Sequence, residues 1–585
     1  MFDTLLIRPV VSPKNILQLT SMEILKRYGI SIETTRIDAQ KKVSQHAKLL
    51  DIWQYVVDEM NISKDLVQEF CDIELNVEAS LLCCRNVVKE LYDTALEKGK
   101  KIIIISDIHY SSKDIRELLY KSGYDSFEKI YVSNEYMKTK ANGDLFEFVI
   151  KNEDVNPEEI VHIGDNFKSD YTMAQQKGIH AYYIPKNIDI FRELYEGDEI
   201  INLIKNNVYE SIIYGYAINE LFDERIVYGD SLSLEEYVVL LMFPILIHTT
   251  FFILNKQEIQ NNLKYSCINF ISRDGYLFMK AYNRLKPYFY ESKLEAKYMY
   301  VSRMACRCLS ENDVLSELNA EYIPKKCSLK KYIESSILNP NVKDNILNCL
   351  TVDELTLNVV EDKEKCRAIL NKHYEELQIA FLEKKEAAEG YYRSIVGDNR
   401  FVLIMDCGFS GTIAKYLFDG FGGEVKFDKI FLWETPKNHL LDEINKTATY
   451  KVFEEKRGKG MAPLMEMSFS DTNGSCIGFR INNKNESIPI LDNYDICDTM
   501  YRDIEFIQEK AMNMIEHFAL LFEKYIPDIT PTSFSVAMNI AEKFFADERY
   551  GAWKTFENIK FREVYSTKEQ EIKLSSIIYN RIINK

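Results

Sequence analysis

Ile102-Ile103-Ile104-Ile105-Ser106-Asp107 reads as a buried strand with a polar end. Four consecutive β-branched residues leave no polar face for an amphipathic helix, so they predict a short parallel strand covered on both sides. Lys129-Ile130-Tyr131-Val132, Ile160-Val161-His162-Ile163 and Ala181-Tyr182-Tyr183-Ile184 repeat the pattern further along. Helical spacing over 112–122, 145–151 and 169–178 separates them. Strand and helix in alternation predict a doubly wound α/β sheet. Ahead of it, from Ser12 to about Lys98, the pattern is helical, opening at Ser12-Pro13 with apolar Ile16, Leu17, Leu19, Met22 and Leu25.

The alternation resumes in the second half. Cys267–Ile271, Tyr298–Val301, Phe401–Met405 and Lys429–Trp433 read as strands among helices. The stretch 310–400 is largely helical and reads as an insertion, and helices are expected again from Asp498. The expected organisation is a first α/β domain over 1–195 with a helical region at about 12–95. A second α/β domain over 205–490, with its insertion at about 310–400, and a helical region over 491–585 follow. A chain of 585 residues allows about three to five domains, or two large ones with insertions.

Composition excludes several classes of function. The chain is 46% hydrophobic and 28% charged, which rules out extensive disorder. Its 73 Lys and Arg against 90 Asp and Glu leave a net charge of −17, which repels phosphate polymers at long range, so no nucleic-acid partner is expected. The short clusters Lys325-Lys326 and Lys330-Lys331 read as solvated faces. Twelve cysteines are too sparse for a disulfide scaffold, and neither Cys83-Cys84 nor Cys306-Arg307-Cys308 has zinc-site spacing. Free thiols in a cytoplasmic setting are the expectation. The longest apolar run, Tyr237–Leu254, contains His248 and two threonines and reads as a buried helix, so no membrane span is expected. The first residues lack the pattern of a signal peptide.

The polar ends of the first three strands carry the chemistry, because ligands of open α/β sheets bind beyond the carboxyl ends of strands. The first delivers Ser106-Asp107. The second leads to Ser133 and a loop bearing Lys140, and the third delivers Gly164-Asp165-Asn166 with Asp170 after it. A hydroxyl and an ammonium can hold phosphoryl oxygens, and a carboxylate pair can hold Mg²⁺. At these residues the sequence resembles the haloacid dehalogenase-like (HAD) hydrolase superfamily over roughly residues 1–190. Ile102–Asp107 is similar to its second motif, Lys140 within Lys-Ala-Asn-Gly-Asp-Leu-Phe to its third, and Gly-Asp-Asn-Phe-Lys-Ser-Asp (164–170) to its fourth. The resemblance implies a Rossmann-like core with a helical cap, Ser106 and Lys140 as catalytic residues, and Asp165 and Asp170 as holders of Mg²⁺. His109 and His162 read as packing or hydrogen-bonding residues.

The first motif of that superfamily is incomplete. Phe2-Asp3-Thr4-Leu5-Leu6 aligns with its tail: Thr4 falls on the motif's Thr and Phe2 on its acid/base position. The nucleophilic Asp then falls one residue before Met1, outside the sequence. Asp3 as a shifted nucleophile conflicts with the register that Thr4-Leu5-Leu6 fixes, and it has no strand before it to aim it. Phe2 cannot protonate a leaving group.

A second constellation lies in the rear half. Cys267–Ser272 ends in Arg273-Asp274-Gly275, Tyr298–Val301 in Ser302-Arg303, and Phe401–Met405 in Asp406-Cys-Gly-Phe-Ser410-Gly-Thr412 before a helix. Arginines at strand ends supply bidentate anion donors, and a Gly/Ser/Thr turn opening a helix can present N–H groups, so Arg273, Asp274, Arg303, Asp406, Ser410 and Thr412 are read as a second anion site. The loop is loosely similar to the phosphate-binding loop of phosphoribosyltransferases; it is neither a P-loop nor a complete nucleophile elbow. Met465-Glu466 and Asn473-Gly474-Ser475 are weaker additions. The two halves together resemble bacterial HAD-type hydrolases that accompany surface-polysaccharide glycosyltransferases. The expected function is a Mg²⁺-dependent phosphohydrolase-like protein for a small phosphorylated metabolite, such as a sugar phosphate. The alternatives are a nucleotide- or diphosphate-sugar transferase using the rear half, and a non-enzymatic ligand-binding or scaffold protein.

Overall fold

The computed structural model describes residues 1–195, 197–223, 233–289, 292–320, 323, 325–407, 411–432, 442, 446–453, 462–492, 498–529 and 536, with the pairs 560–561 and 572–573. The chain divides into two compact units, Met1–Gly229 with Leu520–Phe522, and Asp230–Ala519 with Glu523–Lys585. The first unit continues past residue 205 because the helix Val208–Phe222 is tied to the chain's opening segment. Ser211 Oγ accepts from Val11 N–H and donates to Asn15 Oδ1, and Asn219 donates to the Arg8 carbonyl.

In the first unit, β1 (Leu6–Ile7) pairs antiparallel with β2 (Cys83–Cys84). Between them run α1 (Lys14–Tyr28), α2 (Glu33–Lys42), α3 (Leu49–Glu59) and α4 (Val67–Leu81), the helices that the sequence places as a cap. Their shared core holds Trp53 and Phe70, ring edge to face at 5.3 Å and both fully buried. α5 (Asn86–Glu97) then leads to the core strands β3 (Ile103–Ser106), β4 (Lys129–Val132), β5 (Val161–Gly164) and β6 (His180–Tyr183). All four expected strands form, but as two parallel pairs, β3 with β4 and β5 with β6. No ladder among the described residues joins the pairs into one sheet. The chain's first residues cannot bridge them, because they fold into a tight turn in which Leu5 and Leu6 N–H both bond the Met1 carbonyl.

Helix α4 spaces Glu74 and Glu78 four apart on one face, and both meet arginines. Arg36 of α2 grips Glu74 bidentately at 2.6 and 2.8 Å, with both side chains wholly buried. Arg8 grips Glu78 at 2.6 and 3.2 Å, and Tyr110 OH donates to the same carboxylate at 3.0 Å. The second cluster fastens the cap to the segments after β1 and β3.

In the second unit five parallel strands form one sheet in the order β11-β10-β9-β7-β8. They are β7 (Cys267–Ile271), β8 (Glu295–Met299), β9 (Phe401–Asp406), β10 (Lys426–Phe431) and β11 (Thr449–Lys451). β8 and β10 begin three residues earlier than the sequence pattern places them, because charged residues at their starts carry no apolar signal. The structure adds β11, only three residues long, and the hairpin of β12 (Cys476–Ile481) with β13 (Ser487–Leu491), whose short apolar runs are interrupted by Gly478, Arg480 and Pro489. The helical insertion packs around its own core, including Leu329, Ile333, Ile346, Cys366 and Ile369. After the helix Asp498–Leu521 the expectation of helices alone fails, since Lys560–Phe561 pairs with Ile572–Lys573 as antiparallel strands.

The apolar run is longer than its sequence reading allowed. Leu234–Asn255 is one helical stretch of 22 residues, mean hydropathy 2.2, long and apolar enough to cross a membrane by length and composition. Ninety-four per cent of that window is buried inside the protein, where an all-round apolar helix is a core element.

Burial works to raise the Glu74 carboxyl, but Arg36 and the His109 ring bring it down from 4.5 to about 2. A depressed folded value stabilises above the unfolded one, so the contribution, about 3 kcal/mol, is lost as pH falls from about 4.5 towards 2. Urea midpoints across that range are expected to fall steeply for the natural chain. In an Arg36→Met/Glu74→Leu double variant the fall is expected to be shallower by about that amount.

Candidate functional site

The polar strand ends of the first unit converge on one cavity of about 470 Å³, lined among others by Asp3, Arg8, Ser106, Lys140, Asp165, Asp170 and Lys186. Four of these, Ser106, Lys140, Asp165 and Asp170, are the residues the sequence singles out. A neighbouring cavity of about 790 Å³ lies under the cap helices and shares Arg8, Pro13, Asp107, Ile108 and Ala141 with the first.

Each side chain is placed by its local structure. Ser106 ends β3, is 5% exposed, and its hydroxyl has no hydrogen-bond partner among the described residues, so it is available at the cavity wall. Asp107 turns aside, accepting the Lys140 N–H at 2.9 and 3.0 Å, and this pins the Lys140 loop to the end of β3. The Lys140 ammonium lies 2.5 Å from Asp170 Oδ1. Asp170 also meets His162 Nε2 at 3.2 Å and accepts the Asn166 N–H at 3.0 Å. Burial would raise the Asp170 carboxyl, but His162 and Lys140 hold it well below the usual carboxylate range; burial in turn keeps the His162 ring below its ordinary value. Gly164 is required here, because a Cβ at that position would lie 2.4 Å from the Asp170 side chain.

Two further residues complete the geometry. Lys186, after β6, reaches Asp3 Oδ2 at 2.8 Å and Asp165 Oδ2 at 3.3 Å, while Thr4 Oγ1 donates to Asp165 Oδ1 at 2.7 Å. Against burial, which lowers it, the two carboxylates raise the Lys186 ammonium above its ordinary value. Arg85, 2% exposed, donates to the Asp3 carbonyl at 2.6 Å, the Pro185 carbonyl at 2.7 Å and Asn187 Oδ1 at 3.2 Å. It therefore positions both Asp3 and Lys186. Neither Arg85 nor Lys186 lies in a motif, and only the clustering of Pro185-Lys186-Asn187 just past a strand could have drawn attention to Lys186.

The carboxylates do not fit a divalent ion as they stand. No group of three His, Cys, Asp or Glu among the described residues is arranged to hold one. Asp170 accepts from the Lys140 ammonium and the Asn166 N–H and meets His162, so it serves as the counter-ion of Lys140 here. Asp165 shares the Lys186 ammonium with Asp3. A cation held by Asp3 and Asp165 together would have to displace it.

These elements define a capped α/β domain with a cavity of paired charges at its strand ends. Residues 10–184 match the family described as haloacid dehalogenase-like hydrolase, so the first unit contains a domain of that family. Among curated proteins, none matches the chain.

In the second unit, Arg273, Asp274, Arg303 and Asp406 all lie at or just past the carboxyl ends of β7, β8 and β9, and Thr412 opens the helix Thr412–Gly420. Ser410 lies outside the described residues. Glu466 sits in the helix Ala462–Phe469, and Asn473 bonds Asp471 locally.

Lys186→Ala removes an ammonium whose repulsion of a second cation is worth about 4 kcal/mol per unit charge at ~4 Å in partly buried surroundings. Manganese binding followed by electron paramagnetic resonance is expected to tighten at least about tenfold in this variant. Unchanged affinity would show that Lys186 does not compete for the cation position.

Proposed function

We propose that the first unit is a phosphohydrolase-type domain whose site takes the phosphoryl group of a small phosphorylated metabolite, with a sugar phosphate as the fitting class. The observation that carries this reading is the convergence of the Ser106 hydroxyl, without a partner among the described residues, with the Lys140 and Lys186 ammonium groups on one cavity. In this reading Ser106 donates to one phosphoryl oxygen, and the two ammonium groups balance the charge of the others. Asp170 aims Lys140, and Arg85 aims Lys186. The organic part extends into the cavity under the cap, whose wall carries Ser12, Gln40, Lys41, Ser44, Gln45 and His109, side chains suited to hydroxyl groups. Each of the two cavities, about 470 and about 790 Å³, is of the size that small-molecule sites occupy.

Turnover needs a carboxylate to attack phosphorus, as the family resemblance implies. Within the cavity Asp3, Asp165 and Asp170 are each held by cations, and Asp107 by the Lys140 N–H. Phe2 is packed beneath the Arg8 guanidinium at 3.9 Å and against Tyr110, so it offers no proton. Phosphoryl binding is thus the part of the reading that the described side chains support, and the Mg²⁺ expected from the resemblance enters no step.

Calorimetric titration with glucose 6-phosphate, mannose 1-phosphate and inorganic phosphate tests the reading. Lys140→Ala and Ser106→Ala are each expected to weaken binding, Lys140→Ala by about tenfold or more, a charge-assisted contact being worth about 1.5–3 kcal/mol. Equal affinity in the natural chain and both variants would sink the proposal. Phosphate release over the same panel then measures hydrolysis separately.

A further inference from the structure

The second unit's sheet reads β8-β7-β9-β10-β11 from one edge, all parallel. In chain order of its strands that is 2-1-3-4-5, a doubly wound arrangement in which the connection after β7 leaves to one side and that after β9 to the other. The crevice that such a reversal opens lies beyond the carboxyl ends of β7 and β9. Arg273 and Asp274 follow β7, Asp406 ends β9, and Arg303 follows the neighbouring β8.

The turn after β7 is built tightly. Gly275 sits where a Cβ would come within 2.7 Å of the Ile271 carbonyl, and its N–H bonds that carbonyl at 2.8 Å. Asp274 Oδ1 accepts from Ser470 Oγ at 2.9 Å, and the Arg273 carbonyl accepts the Asp471 N–H at 3.1 Å. Tyr298 OH donates to Asp471 at 3.2 Å, and the Tyr276, Tyr298 and Tyr300 rings pack edge to face in sequence, at 5.9 and 5.2 Å, all half-buried. The backbone and the carboxylates are thus fixed, but the guanidinium groups are not consumed. Among the described residues neither Arg273 nor Arg303 makes a side-chain hydrogen bond or ion pair, although both charges act on Asp274. Arg307, one turn beyond Arg303, shows the contrast: it is buried and bonded to Tyr416, Glu311 and the Ser316 carbonyl.

We propose that this crevice is a second, independent ligand site, in which Arg273 and Arg303 bind the diphosphate of a nucleoside diphosphate or its sugar ester. Guanidinium groups are matched to diphosphate oxygens, the Asp274 carboxylate to ribose or sugar hydroxyls, and the Tyr276–Tyr298–Tyr300 cluster to the face of a base. The site lies wholly within the second unit and uses no residue of the phosphoryl cavity.

Calorimetry on the full chain with UDP, ADP, UDP-glucose and inorganic pyrophosphate tests this, with uridine as the control lacking phosphate. At least one of the four diphosphates is expected to bind, and Arg273→Ala and Arg303→Ala are each expected to weaken it about tenfold or more. Neither side chain has a hydrogen-bond or ion-pair partner to lose among the described residues, so the variants are expected to melt as the natural chain does. UDP-glucose binding tighter than UDP would assign the sugar ester as the ligand, and the reverse would assign the free nucleotide. Lys140→Ala is expected to leave diphosphate binding intact, so failure here and failure of the first site are distinguishable. No binding of any of the four at millimolar concentration, affinity unchanged in both arginine variants, or uridine binding as tightly as UDP would overturn the proposal.

Discussion

The first site depends on one buried guanidinium. Arg85 lies 82 residues from Asp3 and 100 from Pro185, yet it bonds the carbonyl groups of both and Asn187 as well. Its own N–H bonds the Leu5 carbonyl. An arginine can do this because its five donors lie in a fixed plane and stay charged when buried. Remove it and the turn carrying Asp3 separates from the loop carrying Lys186, together with the charge pair they form beside Asp165. The alternative of leaving those carbonyl groups unpaired inside the protein is costly, which is why one side chain serves several.

Around that anchor the charges are arranged in pairs of unequal function. Lys140 faces Asp170, and Lys186 faces Asp3 and Asp165. Each carboxylate lowers the net positive charge of the cavity while it fixes the direction of an ammonium that would otherwise swing freely on its stem. The cap is held by the same device at larger scale, through Arg36 with Glu74 and Arg8 with Glu78. Breaking one member of such a buried pair is worse than replacing both, because it strands a charge away from water.

What was legible in the sequence follows from where information is local. The strand at 103–106 announces itself through an unbroken β-branched run, and Gly164-Asp165 with Asp170 is local because the strand end, the glycine and the carboxylate sit within one turn of chain. Lys140 is legible as a loop lysine after the second strand. Lys186 and Arg85 are not, since each acts across a long separation and neither has a neighbour that marks it. The pairing of Asp170 with Lys140 is not legible for a related reason: a carboxylate that holds a metal and one that holds an ammonium look the same in sequence. Strand positions in the second unit slipped where Glu295, Lys297 and Lys426 begin a strand whose apolar residues come later. The split of the first unit's strands into two pairs depends on what lies between them, which no single strand's pattern carries.

The two units use the same architectural position differently. Both put charged side chains past the carboxyl ends of parallel strands, but the first neutralises its ammonium groups internally and the second leaves its guanidinium groups at Arg273 and Arg303 without ion-pair partners among the described residues. A paired ammonium attracts an incoming anion only by the excess field its carboxylate leaves, so such a site gains selectivity from geometry more than from charge. A guanidinium with no hydrogen-bonded carboxylate keeps its bidentate edge open, even with Asp274 acting on it at longer range, and that edge suits a ligand with more negative oxygens than a single phosphoryl group has. The contrast in pairing is therefore the physical ground on which the two proposals differ in ligand charge, a monoester for the first site and a diphosphate for the second.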